Sequence, residues 1–362
     1  MTTSELPLDR HADAPGPAAD LPDPGADLPS PAEDAPDEEK RRRRRALLLL
    51  LLLGLLAGLI LLTIWYLIFR QPLPLPLPVI PDTQLPAYST SIYGASSPSG
   101  VAVTPSGDRI YVAETGGDKV VRIFDAGGNP LGTMTPPAET GTDHVPVYVA
   151  IDPQTQEVYV SDRPTGTIYI YDRDGRYQRP FAPAQPLVGW QPTGLAFDSA
   201  GNLYVTDLGG DGQKVVVFDR AGEPIRTIGA DAQLSFPNGI AVDDAGLVYV
   251  TDSNNGRLLV FAADGTIKGR IGRGAGEGNL GLPRGLAIDG QGRVFVVDSS
   301  GQGVLTYGVL GADQRSPDYI GFFGGHGIAD GQFAFPMGAA VDDRGRVYVA
   351  DTANGRVQVW SY

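Results

Sequence analysis

A unit that recurs six times constrains this chain more than any other feature of its sequence. One copy is FPNGIAVDDAGLVYVTDSNNGRLLVF, residues 236–261, in which two short β-type runs flank a turn and a third run follows Asn-Gly. Every copy places an acidic residue shortly after a Tyr-Val or Phe-Val pair, at intervals of 45 to 53 residues: Glu114, Asp162, Asp207, Asp252, Asp298 and Asp351. Units of this length correspond to four-stranded propeller blades. The sequence therefore predicts an all-β, six-bladed propeller over residues 88–362.

The repeats share further details that identify their type. Five copies open with Pro-x-Gly before a short apolar strand, and the second copy departs from this as Pro-Val-Tyr at residues 146–148. The succession Pro-x-Gly-Ile-Ala-Val-Asp, Val-Tyr-Val-x-Asp and Asn-Gly-Arg-Val-x-Val-Phe resembles the NHL repeat, most clearly in copies four and six. The resemblance spans residues 88–362 and implies an NHL-type propeller. Copies two and five depart at the Asn-Gly-Arg turn, so their loops are the least predictable.

Closure of the ring needs one more strand than the last copy contains, because the chain ends straight after its third strand. A segment before the first copy, residues 89–93, resembles the outer strands of the other copies. We predict that it pairs with the last copy and leaves no open sheet edge.

The N-terminal region predicts a membrane anchor. Residues 1–39 carry 11 acids and one arginine with few residues to bury, so we expect a disordered cytoplasmic tail. A basic cluster at 40–45 precedes an apolar run at 46–69, which is long enough to form a transmembrane helix. A cleaved signal peptide is the competing interpretation, but the run is too long and no cleavage site follows. Gly54 and Gly58 match the G-x-x-x-G motif and predict a weak dimer contact in the lipid bilayer.

The charge distribution and the following prolines predict how this anchor presents the propeller. Six bases before the apolar run and one after it place the N-terminus in the cytoplasm and the propeller outside the plasma membrane, as in a single-pass signal anchor. Residues 70–87 contain alternate prolines, which favour an extended stalk. The chain has no cysteine and no N-x-S/T sequon, which favours a bacterial surface.

Several classes of partner and chemistry are excluded or left open by composition. Residues 88–362 carry 30 acids and 20 bases, so nucleic acid is not an expected partner. We interpret the six blade acids as structural, each bound by its own turn and a nearby cation such as Lys119, Lys214, Arg257 or Arg356. Histidines for a zinc site are too few, with only His144 and His326 in this region. We predict no catalytic residue, metal or cofactor, although a Ca or Zn ion bound in the channel stays an open alternative.

A ligand-binding face is predicted where the loops between second and third strands meet the entries to the first strands. The antiparallel blade places both loop sets on the same side, where the copies differ most. Arg284 and Asn238 are the expected polar contacts at the channel mouth, with Tyr148 as an apolar wall. The full predicted face contains Ser99, Tyr148, Arg163, Thr193, Asp211, Asn238, Asn254, Arg284, Gln302, Met337 and Asn354.

Two classes of function remain open from the sequence. The first is a non-enzymatic binding or sensing module for a protein, peptide or glycan ligand outside the cell. It resembles the extracytoplasmic NHL domains of bacterial receptor kinases, although the region before the apolar run is too short for a kinase. The second is a surface hydrolase or lyase of the lactonase or amidating-lyase kind, because such propellers use the same face.

Overall fold

The structure is a computed structural model that describes residues 35–69, 85–141, 143–210, 212–274 and 276–362. The chain divides into two compact units, Met1–Ile80 and Pro81–Tyr362. Three parts of the predicted organisation lie outside the described residues: the tail up to residue 34, the stalk at 70–84, and Asp211 of the predicted face.

One helix, α1 (Ala35–Phe69), occupies the described part of the first unit. It begins before the apolar run and includes the basic cluster and residues 35–39, for which the sequence predicted no packed structure. Pro36 suits the first turn of a helix, and the acids that follow it favour the positive N-terminal end of the helix dipole. Within α1, Lys40–Thr63 is long and apolar enough to cross a membrane, and a window of 18 residues in it has a mean hydropathy of 2.9. A Cβ added at Gly54 or Gly58 would meet no atom within 4 Å.

The described residues of the second unit form six four-stranded antiparallel sheets, which are the blades of the predicted propeller. Blade one contains β2 (Pro98–Val103), β3 (Arg109–Glu114), β4 (Val121–Asp125) and β5 (Pro130–Met134); blade two β6 (Pro146–Ile151), β7 (Val158–Asp162), β8 (Thr167–Tyr171) and β9 (Tyr177–Pro180); blade three β10 (Pro192–Phe197), β11 (Leu203–Asp207), β12 (Lys214–Phe218) and β13 (Pro224–Ile228). Blade four contains β14 (Pro237–Val242), β15 (Val248–Asp252), β16 (Arg257–Phe261) and β17 (Ile267–Ile271); blade five β18 (Pro283–Ile288), β19 (Arg293–Asp298), β20 (Gly303–Gly308) and β21 (Tyr319–Gly324); blade six β22 (Pro336–Val341), β23 (Val347–Asp351), β24 (Arg356–Ser361) and β1 (Ala87–Tyr93). Short 3-10 turns lie at Ala138–Thr140, Ala230–Ala232 and Thr352–Asn354.

The segment predicted to close the ring forms β1. It pairs antiparallel with β24, with Ile92 opposite Val357 and Ser91 opposite Gln358. Blade six therefore combines the first and last strands of the unit, and β24 is covered on the side that would otherwise be an open edge.

The hydrophobic core lies between neighbouring blades. Each of six buried clusters combines residues from two adjacent blades. In each blade, the aromatic ring of the second strand packs against the next blade, as the repeated Tyr-Val and Phe-Val pairs predict. These residues are Tyr111, Tyr159, Tyr204, Tyr249, Phe295 and Tyr348. In addition, the Tyr249 hydroxyl accepts a hydrogen bond of 2.8 Å from the backbone N–H of Leu310 in blade five. The aromatic repeat thus stabilises the ring of blades as well as the single blade.

The first strands approach one another closely around the axis, and the glycine of Pro-x-Gly permits this. A Cβ at Gly194 would lie 2.0 Å from the carbonyl oxygen of Asn238, and one at Gly285 would lie 2.4 Å from that of Met337. Side-chain hydroxyls join the blades at the same level, as when Ser253 donates to the Pro283 carbonyl at 2.6 Å. These contacts fix the backbone of the residue between proline and glycine at the entrance of the channel.

Candidate functional site at the channel mouth

The six acids that follow the second strands are buried, with exposed fractions of 0 to 2%. Asp252 accepts hydrogen bonds from the Ser235 backbone N–H at 2.7 Å and from the Arg257 Nε at 2.6 Å. Asp351 likewise accepts hydrogen bonds from the Ala334 backbone N–H at 2.7 Å and from the Arg356 Nε at 2.8 Å. Each of these acids therefore links the loop entering its blade to the third strand of that blade.

Two of the four lysines and arginines predicted to pair with these acids, Lys119 and Lys214, do not do so. Glu114 pairs with the Arg122 Nε at 2.7 Å instead of with Lys119. Asp207 accepts hydrogen bonds from the backbone N–H groups of Gln191 and Gly209, at 2.9 and 3.0 Å, instead of pairing with Lys214. Backbone donors replace a cation where the turn brings N–H groups within reach of the carboxylate.

The remaining two acids, in blades two and five, also bind their own turns. Asp162 accepts from the Val145 N–H at 2.9 Å and lies 3.4 Å from His144 Nδ1. Burial raises the pKa of Asp298, but backbone hydrogen bonds from Gly281 and Leu282 outweigh it and lower the pKa below its ordinary value. Among the described residues, no group of three or more His, Cys, Asp or Glu side chains is placed to hold a metal ion.

A cavity of about 240 Å³ opens at the predicted face, over the entrance of the channel. Its walls come from four blades and consist of Ser99, Thr115, Val147, Tyr148, Arg163, Asn238, Phe335, Met337 and Thr352. Four of these occupy the position between proline and glycine, or its equivalent in blade two: Ser99, Val147, Asn238 and Met337. The fold thus brings residues distant in sequence to one mouth, and no Asp or Glu is among its walls.

Arg284 occupies the same position in blade five. Its guanidinium carbon lies 5.2 Å from the centre of the Phe236 ring in blade four, a cation–π contact. Arg284 also interacts electrostatically with Arg163 and Tyr148 of blade two, which lies opposite blade five in the ring. Side chains from opposite blades can interact because both extend toward the axis of the propeller.

The positive charges at the mouth have no partner among the described residues. Neither Arg284 nor Arg163 forms an ion pair there, and the Nε of Arg284 is buried without a hydrogen-bond acceptor. Burial, and after it the charge of Arg163, lowers the pKa of Arg284. Arg284 is half-buried and Arg163 is exposed, so solvent screens part of their repulsion, but the half-buried guanidinium still lacks a counter-ion, which costs free energy in the absence of a ligand.

Tyr148 adds a second buried donor at this mouth. Its hydroxyl oxygen is buried and has no hydrogen-bond partner among the described residues. Burial raises the pKa of Tyr148, and the charge of Arg284 opposes this only in part. The hydroxyl is therefore protonated at neutral pH, where it can donate a hydrogen bond but cannot accept a proton as a general base.

Two phenylalanines beside the mouth have strained backbones. Phe236 and Phe335 adopt φ of 56° and 53°, although each precedes a proline, a position that disfavours helical conformations. A glutamine from the preceding blade holds each of them: Gln213 accepts from the Phe236 N–H, and Gln302 from the Phe335 N–H at 2.7 Å. Left-handed backbone at a residue other than glycine costs about 1–3 kcal/mol and concentrates at ligand sites. These phenylalanines were missed in the sequence because nothing in a Phe-Pro pair signals a positive φ.

Other residues of the predicted face have different roles. Asn354 donates to Asp351 and to the Gly327 carbonyl, both at 2.9 Å, so it belongs to the turn of its own blade. The Asn254 amide contacts Ser235 at 3.3 Å, and neither asparagine lines the cavity. Thr193 is buried in blade three, where its carbonyl accepts from Ser161 at 2.7 Å. Of the predicted face, Ser99, Tyr148, Arg163, Asn238 and Met337 thus line the cavity, and Arg284 interacts electrostatically with Tyr148 and Arg163.

Comparisons with known proteins agree with this architecture. The NHL repeat family matches residues 234–261 and 333–360, which lie in blades four and six. The chain therefore contains NHL repeats within a six-bladed propeller. Among solved structures, one titled "Streptogramin B lyase structure" aligns with 75% of this chain and 96% of its own, at 13% identity and a TM-score of 0.53. At that identity the likeness concerns the fold alone. Comparison with curated proteins finds no match.

Proposed function

We propose that this NHL-repeat propeller is a membrane-tethered binding module whose ligand occupies the channel mouth. The observation that carries the proposal is a pair of buried donors at the mouth that lack hydrogen-bond partners among the described residues: the hydroxyl of Tyr148, which lines the cavity, and the Nε of Arg284, which interacts electrostatically with Tyr148. Buried polar groups in folded proteins nearly always have a hydrogen-bond partner, and two of the five exceptions among the described residues occur at this mouth, which favours a binding role. A ligand would supply the missing partners.

The anchor supports the tethered part of the proposal. The apolar part of the segment Lys40–Thr63 would cross the membrane once, and its leucines are exposed in the chain alone, as lipid contact requires. The six bases at 40–45 would stay in the cytoplasm, which directs the propeller outward. The ligand would be a protein, peptide or glycan outside the cell. The anchor helix would associate weakly with a second copy through Gly54 and Gly58.

A hydrolase or lyase is the second candidate, and it rests on the similarity to a propeller whose title names a lyase. Chemistry at this mouth would need a base. Tyr148 is the titratable side chain besides the two arginines, and its raised pKa makes it a poor base at neutral pH. Binding without turnover is therefore the better supported function.

The test is a capture experiment with the full chain in lipid nanodiscs. Surface extracts of the cells that make the protein are passed over wild type, an Arg284→Ala/Asn238→Ala double variant, and an Arg344→Ala control. Arg344 is exposed in the turn between β22 and β23, at the other end of the first strands. Bound material is identified by mass spectrometry, and lactone and ester substrates are assayed for turnover in parallel.

We expect the wild type and the control to retain material that the double variant does not retain. Equal retention by all three proteins would show that the mouth is not the site. Turnover of a lactone or ester by wild type, lost in the double variant, would replace the binding module with the enzyme.

A further inference from the structure

We infer that the channel mouth recognises an oxyanion, a carboxylate or phosphate group, carried on an apolar body. The inference rests on the proposed function and names the chemical class of its ligand. Three features of the mouth support it: uncompensated positive charge, unpaired donors, and an apolar wall beside them.

The mouth is positively charged, although the domain as a whole is acidic. Residues 88–362 carry an excess of ten acids, and most arginines that are buried or half-buried in the blades pair with a carboxylate. Half-buried Arg284 and exposed Arg163 interact with each other without such a pair, and no acid lines the cavity. A buried or half-buried charge without a counter-ion destabilises the protein, and a bound anion removes that cost. A cationic ligand would instead add a third like charge.

The unpaired groups are donors and suit an oxyanion. The Arg284 Nε–H and the Tyr148 O–H are both buried and lack acceptors within the described residues. Arginine presents its N–H groups in a planar fork that matches the oxygens of a carboxylate or phosphate. The cation–π contact with the Phe236 ring helps to hold the guanidinium group in place.

One wall of the cavity is apolar. Val147, Phe335 and Met337 line it, and Phe335 is held in its strained conformation by Gln302. The volume of about 240 Å³ is below the roughly 300–1,000 Å³ of pockets that enclose a whole drug-sized ligand. The cavity therefore fits one end of a ligand, with the oxyanion at Arg163 and Tyr148, within electrostatic range of Arg284, and an apolar group on this wall.

The test uses an acid and amide pair that is matched except for charge, and a phosphate with the same phenyl group. N-acetyl-L-phenylalanine, its uncharged amide and phenyl phosphate are titrated by calorimetry into the full chain in nanodiscs. The variants are Arg284→Met, Arg284→Lys and Tyr148→Phe, with Arg344→Met as the control at the opposite end of the first strands. Hydrogen bonds that involve a charged group correspond to about tenfold to a hundredfold in affinity.

The acid is expected to bind wild type and the control at least about tenfold more tightly than the amide. Arg284→Met should abolish that preference, and Arg284→Lys should keep part of it. Tyr148→Phe should lower the affinity for the acid several-fold. The comparison of the acid with phenyl phosphate tells which oxyanion fits better. Equal binding of acid and amide, or no binding of either anion at millimolar concentration, would overturn the oxyanion inference. Mouth-dependent capture in the preceding experiment would then still support a binding module for an uncharged ligand.

Discussion

The guanidinium carbon of Arg284 lies 5.2 Å from the centre of the Phe236 ring, across the boundary between blades five and four. Phe236 reaches this position through a left-handed backbone before a proline, and Arg284 has no ion-pair partner among the described residues. Two unfavourable features thus meet at one contact. Proteins keep such features where a function requires them.

Replacing Arg284 by methionine should therefore stabilise the unliganded protein. The change removes a half-buried charge and its repulsion from Arg163, and we expect a gain of about 1 kcal/mol in the free energy of unfolding. The matched control is Arg356→Met. Arg356 is 4% exposed and pairs with Asp351 at 2.8 Å, so its loss should cost about 3–5 kcal/mol. Thermal unfolding followed by circular dichroism checks both, and a lower melting temperature for Arg284→Met would contradict the account.

Ring closure should depend on the contact of β1 with β24. Ile92 is 4% exposed and belongs to the cluster between blades six and one. Ile92→Ala should cost about 2–5 kcal/mol, as for other large-to-small core changes. Ser89→Ala, on the exposed side of the same strand, should be neutral. Equal melting temperatures for the two variants would mean that β1 does not latch the ring.

Acid should destabilise the propeller through its buried carboxylates. The pKa of Asp298 is lowered in the fold by hydrogen bonds from Gly281 and Leu282. A carboxyl with a lowered folded pKa contributes stability that is fully present above its unfolded pKa, near 4, and is lost as pH falls through the folded value. The melting temperature should thus drop below about pH 4. Asp298→Asn should be less stable at pH 7 and should show a shallower acid slope; parallel curves for the two proteins would contradict this.

The orientation of the anchor is a separate prediction. With six bases at 40–45 before the apolar run, the N-terminus should stay inside the cell. Protease added to intact cells that express an N-terminally tagged chain should degrade the propeller or release it while sparing the tag. Replacing Arg41–Arg45 by serines should weaken this preference. A tag that is cleaved in intact cells would show the opposite topology.

The fold was predictable because the repeat determines both the blade and its neighbours. The aromatic residue of each second strand, such as Tyr249, signals contact with the next blade, and the missing last strand signals closure by β1. The start of α1 was not predictable from hydropathy, since the residues before the apolar run are charged. Their helix follows instead from the Pro-Asp-Glu-Glu start.

The candidate site was predictable only in part. Asn238 and Arg284 occupy the position between proline and glycine, and Tyr148 replaces that glycine in blade two, so the repeat alone indicates that all three lie at the mouth. Asn354 was assigned to the same face but binds Asp351, because a side chain in the turn after the second strand can bond its own blade. The stacking of Arg284 on Phe236 needed the backbone conformation, which sequence patterns do not encode.

The most direct measurement of the central claim is a crystal structure of the protein soaked with 4-bromobenzoate, with the bromine located by its anomalous signal. The account predicts one dominant bromine peak in the cavity lined by Val147, Phe335 and Met337. The carboxylate should lie within hydrogen-bond distance of the Arg284 Nε and the Tyr148 hydroxyl, and the Arg284→Met crystal should lose the peak. Bromine peaks found only elsewhere on the protein, or an unchanged peak in Arg284→Met, would contradict it.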